Sequence, residues 1–247
     1  MRRILAVVPL LLCACTAVRP ASQAAASPKR TEVKLDLRIA LPIVPISLDG
    51  QPAQRFIFDT GAALTTVACR GRAPGPLRLS TLAFGELRFH DVPAQCTEIP
   101  DIGAEGILSP QSAFEGALLE LDGRSFAVRL YRDLDEAGWR ALVGETVHSA
   151  PLTWTEGVAT VEVHLAGKTW TMRLDSGAGG CGLSRADLDR LGGAGRDELT
   201  LPLAVGDSRP GKEQLFVLDG PSLGFPWFTG RRTAITADRK SLLFTDR

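Results

Sequence analysis

The sequence lacks the marks of several common function classes. Its 28 basic and 28 acidic side chains cancel, and neither a basic stripe nor an acidic tail breaks the balance. Binding to nucleic acid therefore has no electrostatic footing. Histidine is scarce at three copies, and neither a Cys-x-x-Cys nor a His-Glu-x-x-His spacing occurs. No metal site and no cofactor are expected from such a chain. No serine nucleophile elbow is expected either. Apolar runs stay far below the ~20 residues that a membrane-spanning helix needs. Tyrosine is nearly missing, with Tyr131 the single copy.

What remains is a globular composition of 247 residues, 45% hydrophobic and 23% charged, enough for one large domain or two modest ones. The N-terminus is distinctive. Met1-Arg2-Arg3 precedes an apolar stretch from Ile4 to Leu12, the arrangement of a secretory signal. The stretch ends in Leu12-Cys13-Ala14-Cys15, which resembles the bacterial lipobox. That resemblance implies a signal peptide over residues 1–14, cleavage before Cys15 and lipid attachment to its sulfur. The chain is then expected to be exported and held at the membrane of the cell envelope, although an ordinary signal peptide is the alternative. Residues 15–32, rich in Ala, Ser, Pro and basic side chains, are expected to form a flexible tether. Beyond the signal lie Cys69, Cys96 and Cys181. Export permits a disulfide, and Cys69 with Cys96 is the plausible pair, since both flank one strand-rich stretch. Three unpaired thiols remain the other reading.

The rest of the chain reads as strands. Val33, Leu35, Leu37, Ile39 and Leu41 alternate with other residues as on a half-buried strand. Leu82 and Phe84 lead through Gly85-Glu86 to Leu87 and Phe89, a hairpin pattern. Ser184 to Asp187 has the shape of a capping box and opens a short helix that Gly192 would stop. An internal repeat organises these pieces. Val44 to Gly50 leads to Phe56-Ile57-Phe58-Asp59-Thr60-Gly61-Ala62, and Val161 to Gly167 leads to Met172-Arg173-Leu174-Asp175-Ser176-Gly177-Ala178. Asp59 and Asp175 lie 116 residues apart, as do Asp122 and Asp238. Two matches at one offset imply duplicated lobes, here 33–145 and 146–247. The join is expected between Asp133 and Pro151, with a short helix around Trp139.

Each triplet has a chemical rationale. A tight turn presents the carboxylate, and the glycine lets backbone and partner approach it closely. Two carboxylates held together cannot both ionise, so they share a proton. One can then take a proton from water while the other polarises a carbonyl. These loops, Phe58-Asp59-Thr60-Gly61-Ala62 and Leu174-Asp175-Ser176-Gly177-Ala178, resemble those of pepsin-like and retropepsin-like aspartic proteases. Gly106-Ile107-Leu108-Ser109 and Ser222-Leu223-Gly224 resemble the family's hydrophobic-hydrophobic-Gly elements. The resemblance implies an all-β fold of two pseudo-symmetric barrel lobes around a central cleft. It implies an endopeptidase with Asp59 and Asp175 as catalytic pair, and Thr60 and Ser176 as hydroxyls bracing one loop against the other. Gly61 and Gly177 would complete the supporting loops. The substrate would be a peptide or protein, and the enzyme a monomer, since both half-sites lie on one chain.

Two departures stand out. The family's flap hairpin usually carries a tyrosine, but residues 69–80 are Gly/Pro-rich and lack an aromatic, so a reduced flap is expected. Ala62 and Ala178 replace a hydroxyl residue common in pepsins, which argues for a mildly acidic optimum. The rival reading is a non-catalytic envelope lipoprotein that binds peptides in the cleft. Gly177-Ala178-Gly179-Gly180-Cys181-Gly182 matches a dinucleotide fingerprint after a strand and before a helix, but the flanking chain shows paired strands rather than alternating strand–helix units. The four tryptophans read as core, with Trp227 a candidate to line the cleft.

Overall fold

The computed structural model describes residues 30–38, 40–100 and 102–247. Cys15, the signal peptide and most of the expected tether lie outside the described residues. The first half of the chain forms β1 (Arg30–Lys34), β2 (Ile43–Leu48), β3 (Gln54–Phe58), β4 (Thr65–Ala68) and β5 (Gly75–Phe84). It continues with β6 (Leu87–Thr97), β7 (Gly106–Leu108), the short helix α1 (Pro110–Ala113), β8 (Leu118–Asp122) and β9 (Ala127–Tyr131). Helix α2 (Glu136–Val143) follows, started by Asp135, whose side chain accepts from the Gly138 N–H, and stopped by Gly144 in the left-handed region. The second half repeats the order with β10 (Val147–Thr155), β11 (Val158–Leu165), β12 (Lys168–Asp175) and β13 (Cys181–Leu183). Helix α3 (Arg185–Leu188) and one π-helical turn come next, then β14 (Glu198–Val205), β15 (Gly211–Val217) and β16 (Ser222–Gly224). Helix α4 (Phe225–Phe228), β17 (Arg232–Ile235) and β18 (Ser241–Thr245) complete the chain.

Two closed barrels result. The first runs β2-β3-β7-β4-β6-β5, and the second runs β11-β12-β16-β13-β15-β14, closed by pairing of β14 with β11. Position for position the second copies the first. The strands left over, β1-β9-β8-β17-β18-β10, form an antiparallel sheet beneath both barrels, three from each half. Its midline is the β8–β17 pair, where Leu121 faces Thr233 and the Thr233 hydroxyl donates to the Leu121 carbonyl. Glu120, fully buried, is held there by Arg129 from its own half and Arg232 from the other. An unpaired carboxylate at that depth would cost several kcal/mol, so the pairing fixes how the halves meet (roughly, by the energetics of buried charge).

Alternation along the strands fills both barrels. Val44, Ile46, Phe56, Phe58, Leu82, Phe84 and Leu108 are buried in the first, and Val161, Val163, Leu165, Met172, Leu174 and Leu223 in the second. Each contributes about 1.5–3 kcal/mol by leaving water, so these cores, rather than the loops at the site, supply the stability.

The repeat holds in detail. Asp122 closes β8 and its Oδ1 accepts from the Arg124 N–H, while Asp238 follows β17 and its Oδ1 accepts from the Lys240 N–H. One expectation is overturned. The alternation from Val33 to Leu41 does not form one strand, because β1 ends at Lys34 and Asp36 caps a turn through the Arg38 N–H. Ala40, with φ near 60°, turns the chain into β2. Strand β1 also begins at Arg30, inside the range expected to be tether, and pairs with β9. Trp139 and Trp227 are fully buried, so Trp227 does not line the cleft.

Candidate active site

Asp59 follows the end of β3 and Asp175 ends β12, so each carboxylate emerges where a barrel's second strand leaves the sheet. Parallel neighbours anchor both exits. Phe58 pairs with Leu108 of β7, and the Asp59 N–H donates to the Leu108 carbonyl at 3.0 Å. Asp175 pairs with Gly224 of β16. After each aspartate the chain turns tightly, and the Gly61 N–H donates to Asp59 Oδ1 at 2.6 Å.

The two glycines face the opposite aspartates. A Cβ on Gly61 would stand 2.6 Å from Asp175 Cγ, and one on Gly177 would stand 2.5 Å from Asp59 Cγ. Neither position takes a side chain without moving a carboxylate. Gly177→Ala should therefore cost about 1–3 kcal/mol through overpacking. Gly179→Ala, which meets nothing within 4 Å, should leave the melting temperature unchanged in the same thermal scans.

Between the loops the hydroxyls cross. The Thr60 N–H donates to Ser176 Oγ at 3.0 Å, and the Ser176 N–H donates to Thr60 Oγ1 at 3.0 Å. Each hydroxyl also donates across the midline, Thr60 to the Leu174 carbonyl at 3.0 Å and Ser176 to the Phe58 carbonyl at 2.8 Å. Behind them Gln111 Nε2 donates to the Thr60 carbonyl, a contact that nothing in the sequence pattern announced. Ser109, at the position where glycine is usual, accepts from the Ser112 N–H and so caps α1.

These braces bring the carboxylates of Asp59 and Asp175 within hydrogen-bonding reach of each other. Asp175 is buried and Asp59 partly so. Burial, then the neighbouring charge of Asp175, push the Asp59 carboxyl up from 3.8 to about 7, against the N–H groups of Gly61 and Gly177. Arg173, two residues before Asp175, places Nη2 2.7 Å from Asp175 Oδ2. Sequence reading missed this contact, although the repeat sets Arg173 against Ile57, a charge opposite a buried apolar residue.

Cys69 and Cys96 form a disulfide, and Cys181 is a buried free thiol whose burial pushes it up to about 11. The disulfide anchors the six residues 69–74 that join β4 to β5, and no hairpin intervenes there. The β5–β6 turn lies elsewhere, with the Glu86 N–H donating to Thr31 Oγ1 on β1. Tyr131 is likewise remote: its hydroxyl donates to Glu120 in the sheet below the barrels.

Among the described residues no cluster of histidine, cysteine and carboxylate side chains could hold a metal. Gly220-Pro221-Ser222-Leu223-Gly224 does have the spacing of a nucleophile elbow, contrary to expectation. Ser222, however, lies fully buried within β16, and its hydroxyl has no hydrogen-bond partner. His90 and His164 are exposed, and His148 contacts Asp207 and Asp246, so none serves as a base for it.

No known protein family and no curated protein matches this sequence. Among solved structures, the aspartic proteinase from Irpex lacteus superposes with a TM-score of 0.61, covering 88% of this chain and 97% of that one at 8% identity. A likeness at that identity concerns the backbone alone. The chain has the pepsin-like aspartic proteinase fold, with two closed six-stranded barrels.

Proposed function

We propose that the protein is an aspartic endopeptidase of the cell envelope, with Asp59 and Asp175 as its catalytic pair. One observation carries the reading: two carboxylates, one from each barrel, meet within hydrogen-bonding reach and share hydroxyl braces. In the singly protonated pair the ionised carboxylate takes a proton from water as the water oxygen bonds to the scissile carbonyl carbon. The protonated carboxyl gives its proton to the carbonyl oxygen, forming a gem-diol. The first carboxyl then returns its proton to the amide nitrogen as the C–N bond breaks, and the second recovers one from a diol hydroxyl. The pair ends singly protonated, as it began, and the water's protons leave with the two products, so no covalent intermediate is needed.

Export to an oxidising compartment agrees with the Cys69–Cys96 disulfide, and Cys15 would supply a lipid anchor. Since the upper ionisation falls at about 7, kcat/KM should be highest in mildly acid to neutral solution and fall tenfold per pH unit above it. The test is cleavage of a peptide library across that range, with and without pepstatin. Pepstatin-sensitive cleavage that peaks only at the most acid pH the fold survives would contradict the pH argument. The short 69–74 segment favours a second reading, a peptide-binding lipoprotein without turnover. Saturable peptide binding to folded protein, with no cleavage at any pH, would establish it instead.

A further inference from the structure

The half-sites differ at one position that bears charge. Alternation along β12 sets Arg173 and Asp175 on one face, and the guanidinium reaches Asp175 Oδ2 at 2.7 Å. Arg173 is 46% exposed and the Asp175 side chain 10%. The matching residue before Asp59 is Ile57, apolar and buried. Around Arg173 the cross-strand partners are Thr160 on β11 and Ser222 on β16, both uncharged. Glu162 lies diagonally on β11, and among the described residues Asp175 is the acid that Arg173 pairs with. On the dyad's other sides, Ser222 to Gly224 carry no charge, Gln111 is neutral, and Arg239 is directed to the Gln111 carbonyl. Among the described residues, Asp59 and Arg173 are the charged side chains seen in contact with Asp175.

We propose that Arg173 decides which member of the pair is ionised, holding the negative charge on Asp175 and leaving the shared proton on Asp59. Resting on the protease reading, this assigns the roles: Asp175 takes the proton from water and Asp59 donates to the carbonyl oxygen. Two equal triplets in the sequence carry no such distinction, and Arg173 supplies it through its contact with Asp175. It is a positioning residue.

The test follows the side-chain carboxyl carbons of both aspartates by NMR titration in the whole chain, assigned with Asp59→Asn. The parent should show its first ionisation at Asp175. In Arg173→Ile, which copies the other half-site, that ionisation should rise by about one pH unit and divide between the two carbons. Arg173→Lys should restore most of it, and Arg173→Gln serves if the isoleucine variant does not fold. The acidic limb of kcat/KM should move upward with the titration. A first ionisation that stays on Asp175 without the arginine, or that falls on Asp59 in the parent, overturns the proposal. Titration reads the charge whether or not peptides are cut. A shifted titration in a protein without cleavage supports the charge placement and sinks only the protease reading.

Discussion

Asp59→Asn should lose peptide hydrolysis by at least about 1,000-fold, yet melt at a higher temperature than the parent at neutral pH. The amide is nearly isosteric and can still accept from the Gly61 N–H, so the loop keeps its shape. What it cannot do is hold or release the shared proton. The stability gain follows from the same carboxyl. Its folded value of about 7 lies above the unfolded 3.8, so between them the folded chain binds a proton that the unfolded chain has released. Stability contributed by that proton is full below the lower value and is lost as pH rises through the upper one. Asparagine removes the dependence. The variant's advantage should be slight near pH 4 and complete above about pH 7, as read by paired thermal scans. Retained hydrolysis would remove Asp59 from the chemistry, and equal melting at every pH would remove the raised carboxyl. A site that costs stability where it works is the pattern expected of a functional pair rather than of a structural one.

Much of the fold was legible because it was written twice. A strand whose inner face must be apolar leaves a period-two pattern, and duplication let Phe56-Ile57-Phe58-Asp59 support Met172-Arg173-Leu174-Asp175. The turn aspartates Asp122 and Asp238 kept the same offset because each caps its own hairpin through backbone N–H groups. Alternation misled between Val33 and Leu41, where Asp36 and Ala40 bend the chain away from the sheet. A side chain's apolarity records burial, not whether its backbone is paired. Gln111 and Arg173 were missed for a related reason. Their contacts join residues far apart, or break the repeat, and no local spacing encodes them. The glycine- and proline-rich stretch at 69–80 and the pairing of Cys69 with Cys96 were both visible, but that the link spans only 69–74, and the distant seat of the β5–β6 turn, came only with the fold.

Thr60→Val should be the most destabilising single change at the site, and it separates two accounts of what holds the aspartates together. The Thr60 hydroxyl donates to the Leu174 carbonyl and accepts from the Ser176 N–H, both buried. Valine keeps the volume and strands one acceptor and one donor, at about 1–3 kcal/mol each. For a chain of this size about 1 kcal/mol moves the melting temperature by roughly 2–4 °C, so a drop on the order of 4–24 °C is expected. Ser176→Ala strands the Phe58 carbonyl and the Thr60 N–H in the same way. The two hydroxyls do not bond each other; each bonds the opposite backbone. Once one brace is gone the loops part and water reaches the other, so the double variant should cost less than the sum by more than about 0.5 kcal/mol. Such coupling means that the loops form one unit, and hydrolysis should fall in either single variant through lost carboxylate spacing. Strict additivity with small costs would mean that the sheet beneath the barrels fixes the pair by itself. Glu120 and Arg232 would then do the positioning from the far side of the molecule, and the crossed hydroxyls would be dispensable.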